Sequence, residues 1–291
     1  MQTERRRLDE EATSPTRGND GHPAAHDEEP KPLGQEAPEI VDDASRIGAK
    51  RLHRPLAGDA ITSFIGGMSV SFGAVAMVTA AAALGGGIAT SSAALLVGSL
   101  VFPVGFVILL IGKSELFTEN FLLPVTGVLE KRGSVRQLLS LWSVTLAGNL
   151  LGTLVFAFLI SRGEVLGPEP AQEIIALAEH KVAYDFPTAF VKAIFGGWLI
   201  TVLTWLLVAA EGLGPRLVLI WTVAALIVLG EFNHVIISAA ELFMAIFVGD
   251  SLTVGDWFQA NFLPALLGNM VGGLIFETLL QYAQAQYNEP R

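Results

Sequence analysis

The sequence predicts an all-α integral membrane protein: six transmembrane helices arranged as an inverted 3+3 repeat, with helices 2 and 5 broken. Three observations lead there. Of 291 residues, 52% are hydrophobic and only 16% charged, where soluble domains carry about 25% charged residues; mean hydropathy is +0.53. Residues 60–112, 137–161 and 193–210 hold no Asp, Glu, Lys or Arg, and about 20 apolar residues span a bilayer core. Two apolar stretches are interrupted by polar residues at a depth where they are costly unless they face protein or water. A soluble enzyme with a single core is thereby excluded. The absence of cysteine excludes disulfides, thiolate catalysis and zinc–sulfur sites. No metal-ligand cluster, cofactor motif or nucleophile–base pair stands out, and a net charge of −10 gives no reason to expect nucleic acid.

Residues 1–57 form the first expected unit. The first 55 positions carry 9 of the 18 basic and 12 of the 28 acidic residues. Such a composition buries too little apolar surface to offset chain entropy, so a disordered cytoplasmic tail is expected. It has no apolar core or cleavage site of a signal peptide. The pore domain is expected over 58–285, with helices at about 60–84, 93–129, 138–160, 186–210, 217–248 and 257–282; residues 286–291 form a short cytoplasmic end. Helix 2 is broken at Gly112, Lys113, Ser114 and Glu115, and helix 5 at Glu231, Phe232, Asn233 and His234.

Loop charge sets the orientation. Arg46, Lys50, Arg51 and Arg54 precede helix 1, Lys131, Arg132 and Arg136 follow helix 2, and Arg216 lies between helices 4 and 5. The alternate loops carry Glu164, Glu169, Glu173 and Glu179, then Asp250 and Asp256. By the positive-inside rule both termini are cytoplasmic, as an even number of spans requires. The repeat is read from Glu115-Leu116-Phe117 and Glu241-Leu242-Phe243 after the two breaks, and from Gly148-Asn149 and Gly268-Asn269, which lie 33 and 27 residues further on. Three helices per copy make the copies opposite in topology, and inverted repeats with broken helices point to a substrate path near the midplane.

At these residues the chain resembles the formate/nitrite transporter family. Leu100-Val101-Phe102 followed by Ser114-Glu115-Leu116-Phe117-Thr118-Glu119-Asn120 is close to the family's G-A-E-L-F-T-G-N, and Phe232-Asn233-His234 is close to its F-E-H. Trp198 and Trp205 fall at family offsets from His234, and the resemblance covers residues 58–285. It implies an aquaporin-like protomer, a homopentamer with one pore per protomer, and passage of a small monovalent weak-acid anion, with or without a proton, across the bacterial inner membrane. It places His234 at the pore centre with Thr118 facing it. Phe102, Phe106 and Phe117 fall near one constriction and Ile227 near the other. Lys181 takes the place of a vestibule lysine.

Elementary chemistry agrees with these roles. An anion does not cross a dry apolar constriction cheaply, whereas its neutral acid does. Histidine exchanges a proton near neutrality, and half-helix N-termini at Leu116 and after His234 add positive potential. Departures bear on the substrate: two pore asparagines of the family fall on Gly197 and Ser238, and a phenylalanine falls on Ile227. Lys113 and Glu119 replace small residues. Asn233 replaces a glutamate, while Glu231 offers a carboxylate three residues before His234, which favours imidazolium if the two face each other. Lys192 stands where the family often has arginine. Glu115 and Glu241 are read as partners for backbone freed at the breaks. Two other readings stay open: an aquaporin-like pore for a small neutral solute, and a membrane scaffold with a decayed pore.

Overall fold

The computed structural model describes residues 34–85, 87–163 and 165–288. Most of the expected tail (1–33), Glu164 and the last three residues therefore lie outside the described residues. Within them every regular element is helical. Five helices are long and apolar enough to cross a membrane: Leu56–Ala83, Ser92–Ile111, Val135–Ile160, Phe186–Ala209 and Val254–Tyr287. The remaining apolar stretch is divided into helices of 17 and 14 residues, Leu213–Leu229 and Val235–Val248. The expected helices 1 to 6 thus appear in order, with helix 5 cut in two.

The described residues begin with a helix, which corrects the expectation of disorder over 1–57 where it falls on 37–52. Helix α1, Ala37–Leu52, is regular and packed, burying Ile40, Val41, Ala44, Gly48 and Leu52. That i, i+1, i+4, i+8, i+12 pattern is an amphipathic stripe; the composition of the whole tail concealed it. Gly48 lies so close to the backbone of Leu123 that any larger residue would collide. The polar face of α1 is tied down as well: Asp42 pairs with Arg46 at 2.8 Å and with Arg132.

Helix α2 (Leu56–Ala83) is the first span. The second is α3 (Ser92–Val101) and α4 (Pro103–Ile111), joined at Phe102; it stops at Gly112 and resumes as a single 3₁₀ segment, Phe117–Phe121, and α5, Leu123–Leu129. Helix α6, Val135–Ile160, starts at a reciprocal cap, where the Gln137 amide donates to Ser134 Oγ and the Ser134 amide to Gln137 Oε1. An amphipathic helix, α7 (Pro168–Val182), follows in the acidic connection. Helix α8, Phe186–Ala209, begins at Asp185, whose side chain accepts from the Thr188 amide; hydrogen bonding from the Thr188 side chain, and then from that amide, holds the Asp185 carboxyl below the usual carboxylate range. Helices α9 (Leu213–Leu229) and α10 (Val235–Val248) are the two halves of the broken span, and α11, Val254–Tyr287, ends the fold with two π-type stretches.

Small residues bring the spans together. Gly148 and Gly152 of α6 sit against Ser63 and the Phe64 carbonyl of α2, while Gly268 and Gly272 of α11 sit against Ala193 and the Ile194 carbonyl of α8. Both are small-xxx-small contacts of the kind that let helices approach within a bilayer. Gly67 faces the backbone of Asn149, and Gly197 faces that of Asn269. Exposed large apolar side chains, among them Leu56, Leu151, Leu159 and Leu267, leave an apolar outer surface suited to lipid or to another subunit.

Both breaks end in the same way. After α4, Gly112 is followed by Lys113 at φ 61°, with the Ser114 amide returning to the Leu109 carbonyl; after α9, Gly230 is followed by Glu231 at φ 51°, with the Phe232 amide returning to Ile227. These are left-handed helix ends that glycine normally serves. A side chain in that region costs about 1–2 kcal/mol. Lys113→Gly is therefore expected to stabilise the protein by about 1 kcal/mol, read as a higher denaturation midpoint in detergent; an unchanged or lower midpoint would show that the lysine side chain outweighs its backbone strain.

Candidate functional site

The two breaks are built by one scheme used twice. At the first, the Glu115 amide donates to the Thr62 carbonyl (3.3 Å) and the Phe117 amide to Asn149 Oδ1 (2.7 Å); Asn149 Nδ2 donates to the carbonyls of Ser63 (2.7 Å) and Glu115 (2.8 Å). At the second, the Asn233 amide donates to the Lys192 carbonyl (3.2 Å) and the Val235 amide to Asn269 Oδ1 (2.9 Å); Asn269 Nδ2 donates to the carbonyls of Ala193 (2.7 Å) and Asn233 (3.0 Å). Each asparagine, fully buried, thus supplies the partners that extended backbone needs at membrane depth. The sequence displayed this device as the doubled Gly-Asn pair, but its role was not recognised.

This equivalence corrects the basis of the repeat. Residues 115–117 correspond to 233–235, so Leu116 is the counterpart of His234, and Glu115-Leu116-Phe117 does not correspond to Glu241-Leu242-Phe243. The tripeptide match is a coincidence among apolar helices; the repeat rests on Asn149 and Asn269, on the left-handed residues Lys113 and Glu231, and on the glycine contacts.

His234 caps α10. Its Nδ1 accepts from the amides of Ile236 and Ile237, both at 3.3 Å, and its Nε2 lies 2.8 Å from Thr118 Oγ1. Amides only donate, so the neutral ring carries its hydrogen on Nε2 and donates it to Thr118. In this arrangement no ring nitrogen is free to accept a second proton. The bond joins the two breaks across 116 positions of sequence, between two side chains that are fully buried.

Two cavities, which share no lining residue, are each lined by one of the breaks, one by Lys113 and Ser114 and the other by Glu231 and Phe232; Thr118 and His234 line neither. The larger, about 750 Å³, is lined by Lys50, Arg51, Lys113, Glu119, Arg216 and Ile220 among others. The smaller, about 40 Å³, is lined by Tyr184, Lys181, Ile227, Glu231, Ile237 and Glu241 among others. Along α9, Ile220 faces the larger cavity and Ile227 the smaller; seven residues of helix separate them by about 10 Å. Buried Val223 and Ala224 fill that interval. Along α3 and α4, Phe102 and Phe106 fall between Leu95 at the smaller cavity and Leu110 at the larger. Their rings are 5.8 Å apart, and Phe117 packs on Phe121 at 5.0 Å. Phe102, Phe106 and Phe117 are buried in one core cluster with Ile227 and line neither cavity, whereas Ile227 does line the smaller.

Polar residues near His234 are organised differently from the expectation. Asn233 Oδ1 accepts from Ser238 Oγ (2.6 Å) and from Asn261 Nδ2 (3.3 Å), and Lys181 Nζ lies 3.5 Å from Ser238 Oγ. Asn233, Ser238 and Lys181 therefore form one cluster. Gly197 is not part of it: a side chain there would run into the Asn269 backbone, so no polar pore group fits at that position. Glu231 does not face His234; it pairs with Lys192 at 3.3 Å and lies 3.5 Å from the Tyr184 hydroxyl, which also bonds His180. Lys192 serves this ion pair and the Tyr184 ring, 4.8 Å away.

Glu115 and Glu241 also depart from their expected role as partners of freed backbone. Glu115 pairs with Arg54 (2.6 Å) and Arg51 (3.3 Å), and Glu241 with Lys181. Arg51 further donates to Asn120 Oδ1 at 2.7 Å, and Arg54 pairs with Asp59 at 2.5 Å. A buried ionic network thus anchors the start of the fold to the first break. Glu119 caps its own segment, accepting from the Leu116 amide at 3.1 Å. The sequence signal for this network was the basic group at 51 and 54, which had been read only as a mark of orientation.

Comparison with known proteins follows the same outline. Residues 38–283 match the formate/nitrite transporter family. The chain is 28% identical over 249 residues to YrhG of Bacillus subtilis, an uncharacterised transporter, covering 84% of this chain and 91% of that one. It is 28% identical to a probable formate transporter of Methanothermobacter thermautotrophicus, covering 82% and 92%. Among solved structures, a pentameric formate channel with formate bound superposes with a TM-score of 0.69 at 21% identity, covering 80% of this chain and 97% of the other.

Proposed function

Since this chain belongs to the formate/nitrite transporter family, we propose that it carries a small monovalent weak-acid anion of the formate, nitrite or acetate class across the bacterial inner membrane, as a homopentamer with one path through each protomer. The family is one of transporters, and the chain is a multi-pass membrane protein. The observation that carries the reading is the Thr118–His234 hydrogen bond, which joins the two helix breaks, each of which lines one of two separate cavities. Loop charge supports the orientation: the basic residues of α1, of 131–136 and of 216 belong on the cytoplasmic face, which makes the larger cavity the inner mouth and the smaller the outer one. Both termini are then cytoplasmic, and three spans per half set the two copies of the break antiparallel.

The interval between the cavities is apolar, and a bare anion there loses its hydration without an opposite charge to replace it. Hydrogen-bond donors are what the centre offers, Nε2–H of His234 and the hydroxyl of Thr118; the first amides of the half-helices are already bonded to Glu119, Asn149, Asn269 and His234 Nδ1 and contribute only the positive potential of the helix ends. The neutral ring cannot protonate a carboxylate, since giving up Nε2–H would leave an imidazolate. The geometry therefore supports a histidine that meets the anion as a donor once Thr118 turns aside. A proton that travels with the anion then comes from water rather than from the ring.

The test is uptake of labelled formate, nitrite and acetate into proteoliposomes at about pH 5.5 and about pH 7.5, with native protein and His234→Asn. Uptake above empty liposomes, reduced at least about tenfold in the variant, is the expected result. No uptake of any of the three by an intact oligomer overturns the reading in favour of a neutral-solute pore or a scaffold. A variant as fast as native protein keeps the path and removes His234 from it.

A further inference from the structure

We propose that the larger cavity is a binding site for a soluble multivalent oxyanion, of the diphosphate or dicarboxylate class, distinct from the monovalent anion that passes. Of the five cations at this cavity, Arg46 pairs with Asp42 and Arg51 with Glu115 and Glu119; the other three come from three separate elements: Lys50 on α1, Lys113 at the break after α4, and Arg216 in α9. None of them has a carboxylate partner among the described residues. Arg216 spends only Nε, on the Ala210 carbonyl at 3.1 Å, so its terminal nitrogens remain open. The carboxylates at the cavity are already engaged, Glu119 with Arg51 and the Leu116 amide, and Asp43 with Gln35.

The other cavity is built the opposite way, with Lys181 matched to Glu241 and no bare ammonium on its wall. A second observation points to an anion. Helix α9, 17 residues long, starts at Gly212 with no side-chain cap, and Gly212 and Leu213 line the same cavity. Uncapped amides at a helix N-terminus receive oxyanions, and the helix dipole adds to the three charges. Size completes the argument. Formate meets one cation at a time, whereas about 750 Å³ is the volume of a site for a much larger ligand. Two anionic ends placed in it reach two of the three cations together. A dianion does not follow a monovalent acid through a dry apolar interval, so the occupant stays in the mouth.

Titration calorimetry of the full chain in neutral detergent, with inorganic pyrophosphate as the probe, tests the site. The expected result is saturable binding at one site per protomer that weakens about tenfold in Lys50→Gln/Lys113→Gln, and about as much in Lys50→Gln/Arg216→Gln, while Lys181→Gln binds as native protein does. The second double variant keeps the test open should the first fail to fold. Repeating the titration in phosphatidylcholine and in phosphatidylglycerol nanodiscs separates a free ion from a lipid phosphate: equal affinity in both assigns the free ion, and loss in the second assigns the headgroup and overturns the proposal of a soluble ligand. Absence of saturable binding, or binding that Lys181→Gln weakens as much as the double variants, also overturns it. The measurement reads binding alone. A chain that binds pyrophosphate but conducts no formate keeps this site and loses the reading of its path; the reverse result loses only this site.

Discussion

Asn269→Ala and Asn149→Ala are each expected to remove about 3–5 kcal/mol of stability, read as a large fall in thermal midpoint in detergent. Each asparagine bonds one amide and two carbonyls, and the amide and one carbonyl belong to extended backbone at a helix break. Buried backbone groups left unpaired cost about 1–3 kcal/mol apiece, and net stability is only about 5–15 kcal/mol. Asn261→Ala is the comparison: Asn261 is as buried but gives one bond of 3.3 Å and leaves its oxygen unpartnered. It should cost less than about 1 kcal/mol. Equal losses in the doubled pair, both well above the third, are the outcome expected of a repeated clamp, and thermal midpoints in detergent measure it. If Asn269→Ala shifts the midpoint no more than Asn261→Ala, the clamp is not what holds the break.

Thr118→Val is expected to slow anion flux by about tenfold or more, with Thr118→Ser close to native protein. Valine keeps the shape of threonine and removes the oxygen that accepts Nε2–H of His234 at 2.8 Å. The buried N–H then lacks a partner, and the break in helix 2 loses its only bond to the ring in the break of helix 5. Serine restores the hydroxyl with less bulk. Flux measured in proteoliposomes, set beside oligomer size to exclude misfolding, separates the two effects. Full flux through Thr118→Val would show that the hydroxyl only packs.

The spans were legible because charge is absent over long apolar runs, a signal that the bilayer imposes and that no local detail disturbs. The positions of the breaks were legible too, since Lys113 and Glu231 interrupt apolar helices. What happens at the breaks was only half legible. His234 and Thr118 meet as expected, but the partners of the extended backbone are Asn149 and Asn269, each more than 30 positions downstream of the break it serves, and such distance is invisible to a reading of local pattern. Gly197 shows the converse failure. The family resemblance implied a missing pore asparagine there, whereas backbone contact with Asn269 leaves no room for any side chain. Helix α1 was lost for a third reason: its apolar stripe is diluted by the charged residues around it, and averaging over the segment removed the period that marks it.

The two clamps also set an order in which the protein can be made. Asn149 bonds Ser63, Glu115 and Phe117, all in the first half of the chain, and Asn269 bonds Ala193, Asn233 and Val235, all in the second. Each half therefore satisfies its own broken helix as soon as its third span has left the ribosome, with nothing required from the other half. Contacts that join the halves, among them Thr118 to His234, Thr278 to the Phe121 carbonyl and Tyr282 to Glu130, wait for the second half to be made. A nascent chain stopped after α6 should already protect its first break from proteolysis, while one stopped between α5 and α6 leaves the same loop open to attack.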